Sequence, residues 1–224
     1  MNTAIEDLNN KPAGYYDNPR TDMMDFIPDG IRRTLEFGCG TGAFSYELKN
    51  EFGNETWAVE INPDAAESAS EVIDKVINKD ALEALTDLPD NYFDCVLFFD
   101  VLEHLIDPYT LLTEIKSKLT ENGVVICSIP NIRYYRAFKS YLFGGDWEYK
   151  SHGVMDRTHL RFFTRKSIIA TFHNLNYKLL KIEGLHPTSS RTYKLLNLLF
   201  LNFLNDVRYK HFVVVARPTG NEKC

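Results

Sequence analysis

The sequence predicts an α/β fold, a doubly wound sheet of seven mostly parallel strands with helices on both faces. Short runs of β-branched and aromatic residues alternate with segments of helical periodicity over the first 130 residues, as a covered parallel sheet requires. Capping and turn residues separate these segments. The first run ends in a glycine-rich stretch, the place at which such sheets usually bind a ligand.

The first part of the chain carries five predicted strands, at 34–38, 57–61, 75–80, 94–100 and 124–130. The helices between them have recognisable starts. Asn62 and Asp107 each supply an N-cap side chain and are each followed by a proline, which suits the first helical position. After Asp107 the apolar residues recur at helical spacing and predict one face packed on the sheet: Leu111, Leu112, Ile115 and Leu119.

The second part of the chain interrupts the alternation of strands and helices. Residues 131–163 are rich in aromatic and turn-forming residues, which predicts an inserted cap over the substrate. Thr164 is the predicted N-cap of a further helix. Two more strands are predicted at 177–185 and 210–218, which completes a seven-stranded sheet.

An insertion at 185–209 separates the last two strands and contains an apolar helix at 192–206. This helix is apolar nearly all round and too short to cross a bilayer, so we expect burial under the cap. A homodimer interface and contact with a membrane or a lipid-linked substrate are the alternatives. We predict one domain over 1–224, with 1–30 as a leader segment.

The net charge and the cysteines argue against several kinds of partner and site. A net charge of −6 and an isoelectric point near 5.5 argue against a nucleic-acid partner. The four cysteines are dispersed, without a C-x-x-C pair or a secretory leader, so neither disulfides nor a cysteine zinc site is expected. These features predict a cytoplasmic protein.

The segment "LEFGCGTG" at 35–42 places a glycine at every second position after the first strand. Such a loop lets a nucleotide-like ligand touch the backbone at a helix N-terminus. Gly38, Gly40 and Ala43 also satisfy the dinucleotide pattern G-x-G-x-x-G/A, so the glycines alone leave nicotinamide cofactors open. Glu36 favours S-adenosylmethionine, because a carboxylate repels a pyrophosphate and attracts a sulfonium and an ammonium group.

Four motifs in sequence order resemble the class I S-adenosylmethionine-dependent methyltransferases over about residues 14–130. They are "LEFGCGTG", Glu60 at the end of the second strand, "KDA" at 79–81 and "FDCVLFFDVLEHLIDP" at 93–108. The resemblance implies a Rossmann-like methyltransferase fold. It also implies S-adenosylmethionine as cofactor and S-adenosylhomocysteine as product.

The resemblance assigns roles to single residues. The glycine loop would hold the methionine part, Glu60 the ribose hydroxyls and Asp80 the adenine amino group, although each acid could instead serve only as a helix cap. Asp100 would orient the cofactor or a base. The cofactor-binding set implied is Tyr16, Arg20, Glu36, Gly38, Cys39, Gly40, Glu60, Ile61, Asp80, Ala81, Leu82 and Asp100. Tyr16 and Arg20 would close on the methionine end, or simply pack as a surface leader.

The segments "GGDWEY" and "GVMDRTHLRFFT", within 144–164, resemble methyltransferases of bacterial sugar and cell-surface polysaccharide pathways. This implies a hydroxyl-rich acceptor held by aromatic and charged side chains, with the substrate set Trp147, Tyr149, Arg157 and Arg161. The alternative is that Trp147, Phe162 and Phe163 belong to the core and that Asp156 and Arg161 form a structural pair.

A hydroxyl acceptor needs a base, and His104 is the first candidate because it follows the fourth strand at the ligand-binding edge of the sheet. His159 and Asp156 are the next candidates. His152, Asp156 and His159 have helical spacing for a metal site, but neighbouring glycines indicate a loop and no carboxylate cluster accompanies them, so no metal is predicted. The alternative functions are a cofactor-binding regulatory protein without catalysis, an N-methyltransferase of a small metabolite and a nicotinamide-dependent oxidoreductase.

Overall fold

The computed structural model describes residues 16, 17 and 19–219, which form one seven-stranded sheet with helices on both faces. The strands are β1 Arg33–Phe37, β2 Glu55–Val59, β3 Lys75–Ile77, β4 Phe93–Phe99, β5 Leu119–Pro130, β6 Tyr177–Pro187 and β7 Tyr209–Pro218. The helices are α1 Ala43–Phe52, α2 Pro63–Ser70, α3 Ala81–Ala84, α4 Pro108–Glu114, α5 Tyr135–Gly144, α6 Arg165–Asn174 and α7 Arg191–Leu199. Short 3-10 helices cover Thr21–Phe26, Leu85–Asp87, Leu102–His104, Ile115–Lys118 and Asn205–Arg208.

The strands lie in the order β3-β2-β1-β4-β5-β7-β6, and the predicted fold class is confirmed. β1 to β5 are parallel, and β7 runs antiparallel to both β5 and β6. The direction of the chain across the sheet reverses between β1 and β4. Doubly wound sheets bind their ligands at the carboxyl ends of the strands at such a switch point.

Two apolar layers enclose the sheet. One contains Phe37 and Phe98, whose rings stack with centroids 4.8 Å apart, together with Leu111, Phe172 and Phe212. The opposite layer contains Met23 and Phe26 of the first 3-10 helix, Phe44 and Leu48 of α1 and Phe99 of β4. The leader segment therefore closes the second layer and is held beside the ends of β1 and β4.

Sequence signals place most element boundaries within a few residues. The predicted caps Asn62, Asp107 and Thr164 each accept a hydrogen bond from the first turn of their helices. The predicted strand at 75–80 is shorter, because Asp80 caps α3 and ends the extended segment. β5 starts earlier than predicted, at Leu119.

The apolar helix predicted at 192–206 differs most from expectation. It ends at Leu199, and only one side packs, where Tyr193 and Leu196 meet Tyr135 of α5. The other side and the turn that follows are exposed: Leu195, Leu198, Leu199, Phe200, Leu201 and Phe203, the last with 81% of its surface accessible. The helix therefore packs against the cap on one side only, and the expected burial of its remaining sides is wrong. Within the described residues, no helix has the length and apolar character needed to cross a bilayer.

Replacing the N-cap of α6 tests the local account of the fold. Thr164 Oγ1 accepts from the Ser167 N–H, and Ser167 Oγ accepts from the Thr164 N–H, which forms a capping box. Thr164→Ala should lower the free energy of unfolding by about 0.5–2 kcal/mol in urea denaturation. Thr171→Ala, inside the same helix, is the control and should change it by less than about 0.5 kcal/mol. Equal losses in the two variants would contradict the capping role.

Candidate active site

The glycine loop after β1 follows a path that requires glycine. Gly38, Gly40 and Gly42 all have positive φ, at 68°, 56° and 84°. A Cβ on Gly40 would lie 2.4 Å from the backbone oxygen of Tyr16. No side-chain rotation could relieve this clash, because the oxygen belongs to the backbone. The loop therefore depends on the absence of side chains for its own packing, and it leaves backbone groups at the start of α1 beside the end of β1.

The leader crosses directly over this loop. The Tyr16 carbonyl accepts hydrogen bonds from the Thr41 N–H at 3.1 Å and from Thr41 Oγ1 at 3.2 Å. The Tyr16 phenol hydrogen-bonds with Asn62, and burial together with the nearby charge of Glu60 raises its pKa to about 12. The structure thus places Tyr16 beside the glycine loop, and its contact with the cofactor stays a prediction.

Glu36 is a buried carboxylate at the end of β1, 3% exposed. Ser45 Oγ of α1 donates to Glu36 Oε2 at 2.6 Å. Burial raises the pKa of Glu36 to about 7, against the Ser45 hydrogen bond and the positive charge of Arg20, while the charge of Glu60 adds to the rise. A ligand cation near this carboxylate would restore its ionised form.

Glu60 lies at the end of β2 and is equally buried. Its Oε2 accepts from the Gly40 N–H and its Oε1 from the Asn62 N–H, both at 2.9 Å. Burial raises the pKa of Glu60 although these backbone donors oppose the rise. Each carboxylate oxygen can accept a further hydrogen bond, so two vicinal hydroxyls can bind here.

The ends of β2 and β3 are joined by Asn78, which the sequence analysis did not single out. Asn78 Nδ2 donates to the carbonyls of Glu60 and Ile61. Asp80 Oδ1 accepts from the Leu82 N–H at 2.9 Å and caps α3. The side chain of Leu82 is 36% exposed beside Ala81, as a wall for a flat ring would be. Asp80 thus serves as a helix cap through one carboxylate oxygen, and its proposed contact with the adenine amino group stays a prediction.

Arg20 and Asp100 form a linked pair. Arg20 Nη1 donates to Asp100 Oδ2 at 2.7 Å, and Arg20 Nη2 donates to Ser128 Oγ at 3.0 Å. Ser128 Oγ donates in turn to Asp100 Oδ1 at 2.8 Å, and His211 Nε2 lies 3.7 Å from that oxygen. His211 and Arg20 lower the pKa of Asp100 against its burial. Arg20, expected from its sequence position to close on the methionine end, binds Asp100 in the structure, and no sequence pattern indicates the contacts of Ser128 and His211 with Asp100.

The 3-10 helix Leu102–His104 brings Glu103 and His104 against His159 of the cap. The His104 and His159 rings are in edge-to-face contact, with centroids 4.7 Å apart. His159 Nε2 lies 3.9 Å from Glu103 Oε1. Burial raises the pKa of Glu103 well above its ordinary value. Two of the three candidate bases, His104 and His159, thus occupy one site, while Glu103 was not singled out from the sequence.

The third candidate base, Asp156, has a local structural role. Its Oδ1 accepts from the N–H and the Oγ1 of Thr158, and its side chain is buried. Arg161 Nη2 donates to the carbonyl of Ile106. His152, from the metal-ligand set tested on the sequence, is exposed and forms a hydrogen bond with Ser151.

The cap presents aromatic faces to solvent near these histidines. Trp147 is 39% and Tyr149 51% exposed, and both rings contact Phe162 at centroid distances of 5.4 Å and 6.4 Å. Phe162 in turn lies 6.4 Å from His159. Trp147 is therefore a surface residue, whereas Phe163 is buried in the core as the alternative interpretation expected. Arg157 is also exposed.

Comparison with known proteins identifies the class to which this geometry belongs. The family described as "Methyltransferase domain" matches residues 8–182. The chain belongs to this methyltransferase family. Membership confirms the class I resemblance and S-adenosylmethionine as the cofactor, which the glycine loop and the two buried carboxylates fit.

Relatives and solved structures agree with this assignment. A ubiquinone biosynthesis O-methyltransferase of Cereibacter sphaeroides is 33% identical over 133 residues, which cover 56% of this chain and 52% of that protein. The chain therefore spans about half the length of the curated relatives it matches. An S-adenosylmethionine-dependent methyltransferase from Archaeoglobus fulgidus shares the fold, with a TM-score of 0.68, 23% identity and coverage of 87% of this chain and 90% of that one. A possible histamine N-methyltransferase from Thermotoga maritima has a TM-score of 0.63, 17% identity and coverage of 91% and 89%.

The pKa of Glu36 predicts a pH-dependent cofactor affinity. Because the pKa of Glu36 is raised from 4.5 to about 7 in the folded, cofactor-free protein, its protonated form stabilises the fold at low pH. This stabilisation is fully present below about pH 4.5 and is lost as pH rises through about 7. Binding of cationic S-adenosylmethionine requires the ionised form, so affinity should rise about five- to tenfold between pH 6 and 7.5 as the ionised fraction grows. Isothermal titration calorimetry measures this change.

Glu36→Gln is the matched variant for this measurement. It cannot ionise, so its affinity should be weaker and should lack the rise, while the titration of the ligand itself is common to both proteins. Parallel pH profiles for Glu36→Gln and the unaltered chain would contradict the assignment of Glu36.

Proposed function

We propose that the protein transfers a methyl group from S-adenosylmethionine to a hydroxyl oxygen of a small polar acceptor. The observation that carries the proposal is the placement of the Glu103, His104 and His159 cluster at the end of β4, next to the cofactor loop. A Cβ on Gly38 would meet Val101 Cγ2 at 2.7 Å, so the loop and the turn that carries the cluster are in direct contact. Acceptor chemistry at the cluster would thus occur beside the cofactor.

S-adenosylmethionine, held by the glycine loop, Glu36 and Glu60, would supply a methyl carbon bonded to positively charged sulfur. The acceptor oxygen would form a bond to that carbon while the S–C bond breaks and its electron pair returns to sulfur. The chain aligns the two reactants and excludes water, which can contribute about 7–11 kcal/mol to lowering the barrier. A hydroxyl is a poor nucleophile, so a group that removes its proton adds a factor of about 10²–10⁴. His104 and His159 are the side chains in position for this role.

A sugar or polysaccharide precursor is the acceptor class we propose first. The exposed rings of Trp147 and Tyr149 suit the faces of a sugar ring, and Arg157 and Arg161 can bind its hydroxyls. The names of the curated relatives support oxygen as the methylated atom, and they make a hydroxylated aromatic ring the second acceptor class. An amine acceptor would leave both histidines without a catalytic role.

The proposal also covers the domain organisation of the chain and the place where it acts. We treat 1–224 as one catalytic domain in which 131–163 caps the acceptor site and 185–209 is an insertion, acting in the cytoplasm. The exposed apolar surface of α7 and the turn after it favours an interface role over burial, either in a homodimer or against a lipid-linked acceptor.

Glu60→Ala tests the cofactor site directly. The variant removes the acceptors proposed for the ribose hydroxyls and should weaken S-adenosylmethionine binding by about 1.5–3 kcal/mol, or about 10- to 150-fold. Calorimetry measures the affinity. Glu71→Ala, at the exposed end of α2, is the control and should bind as the unaltered chain does. Unchanged affinity in Glu60→Ala would contradict the assignment.

A screen with methyl-labelled cofactor tests the reaction. Sugar nucleotides, glycolipids and hydroxylated aromatic compounds are offered in parallel, and labelled product is expected from the first group. Labelled product from the hydroxylated aromatic compounds alone would contradict a sugar acceptor and support the second acceptor class. Tight cofactor binding without product in any arm would favour the regulatory alternative.

A further inference from the structure

Glu103 is a buried carboxylate whose surroundings do not satisfy it. The residue is 1% exposed, and neither Oε1 nor Oε2 receives a hydrogen bond from any other residue within 16, 17 and 19–219. Its own backbone carbonyl, by contrast, accepts from the N–H groups of Leu160 and Arg161 and fixes the turn. A buried carboxylate that receives no hydrogen bond from another residue is costly unless a cation or a proton accompanies it.

The two histidines beside Glu103 are held in one tautomer. His104 Nδ1 lies 3.1 Å from the Thr158 carbonyl, and His159 Nδ1 lies 3.2 Å from the Val154 carbonyl. A ring nitrogen that faces a carbonyl oxygen carries the hydrogen and donates it, so Nε2 carries the lone pair in both rings. Metal-binding histidines are oriented in the same way, by a backbone or carboxylate acceptor on the other ring nitrogen.

We propose that Glu103, His104 and His159 bind one divalent first-row transition-metal ion, such as Zn²⁺ or Mn²⁺. One potential ligand atom from each side chain lies within 4.8 Å of the other two, and within the described part of the chain this is the one group of three His, Cys, Asp or Glu side chains that converges so closely. Two imidazole nitrogens and one carboxylate form a ligand set that suits these ions and leaves coordination positions open.

The side chains need little movement to close on an ion. In a tetrahedral site, two ligand atoms at about 2.1 Å from one ion are about 3.4 Å apart. Closing from 4.8 Å therefore requires each ligand atom to move by about 0.7 Å, which rotations of the side chains can supply. His104 is only half-buried, so part of the cluster is accessible from the surface.

The role of the ion rests on the proposed function. An acceptor hydroxyl bound at an open position would have a lowered pKa, because the ion stabilises the oxyanion. The O–H bond then breaks, the electron pair stays on oxygen and the proton passes to solvent water at the half-buried side of the cluster. With the ion bound, the histidines would act as its ligands, and the ion would take over the activation of the hydroxyl that the proposed function assigns to their free side chains.

This proposal departs from the sequence-based expectation of no metal. That expectation rested on His152, Asp156 and His159, of which only His159 belongs to the cluster. Glu103 and His104 come from the turn after β4, more than fifty positions away in the chain, so no local spacing could reveal them.

Titration of chelator-treated protein with ZnCl₂ or MnCl₂ alone tests the site without any acceptor. We expect one ion per chain by calorimetry, and enhanced water-proton relaxation for bound Mn²⁺ because open positions retain water. Glu103→Gln and His159→Asn should weaken binding by about 100-fold or more. His173→Asn, an exposed histidine of α6, is the control and should bind as the unaltered chain does.

Unchanged S-adenosylmethionine affinity in the variants shows that they are folded. Should Glu103→Gln fail to fold, His104→Asn at the half-buried position carries the same test. Failure of the unaltered chain to bind an ion below about 1 mM, or equal binding by the variants, overturns the site. Full methylation of an acceptor in excess chelator overturns the role of the ion. Stoichiometric ion binding by a chain that methylates nothing upholds the site and counts against the proposed function.

Discussion

The concentration of buried carboxylates at one edge of the sheet is the constraint on which the site depends. Glu36, Glu60 and Glu103 follow or end β1, β2 and β4, and each is 3% exposed or less. Asp100 is balanced by Arg20, while burial raises the pKa of the other three. Buried negative charge is stable only with hydrogen-bond donors, protons or cations. This edge of the sheet therefore favours the binding of positive charge. In our proposals, the cofactor and a metal ion supply that charge.

The leader and the sheet edge are coupled through strained backbone. Arg20 and Asp100 both have positive φ, at 43° and 57°, a conformation that costs non-glycine residues free energy unless the surroundings enforce it. Their ion pair supplies that enforcement, and the Tyr16 carbonyl on Thr41 fixes the other end of the same segment. A side chain at position 40 would collide with the backbone of Tyr16. The position of the leader and the shape of the cofactor loop therefore depend on each other.

Sequence signals predicted the parts of the structure that are encoded locally. The caps at Asn62, Asp107 and Thr164, the alternation of strands and the glycine loop all depend on neighbouring residues, and the structure contains each of them. Contacts between distant segments were missed, namely Ser128 and His211 on Asp100, Asn78 across two strand ends, and Glu103 beside His159. The exposed side of α7 was mispredicted for a related reason, because an apolar pattern specifies what a helix would bury and not whether this chain supplies a partner.

The charge distribution separates cofactor binding from rate acceleration. Methyl transfer disperses the positive charge on sulfur, so Glu36 and Glu60 would interact more strongly with the bound cofactor than with the transition state. Interactions of that kind strengthen binding without lowering the barrier for the chemical step. Acceleration must then come from alignment and from the acceptor side, where the oxygen needs to lose a proton. In this structure that side is occupied by His104, His159 and the unsatisfied carboxylate of Glu103. In our proposal, the loss of positive charge from the sulfur would also weaken the attraction to Glu36, which would favour its reprotonation and the release of the product.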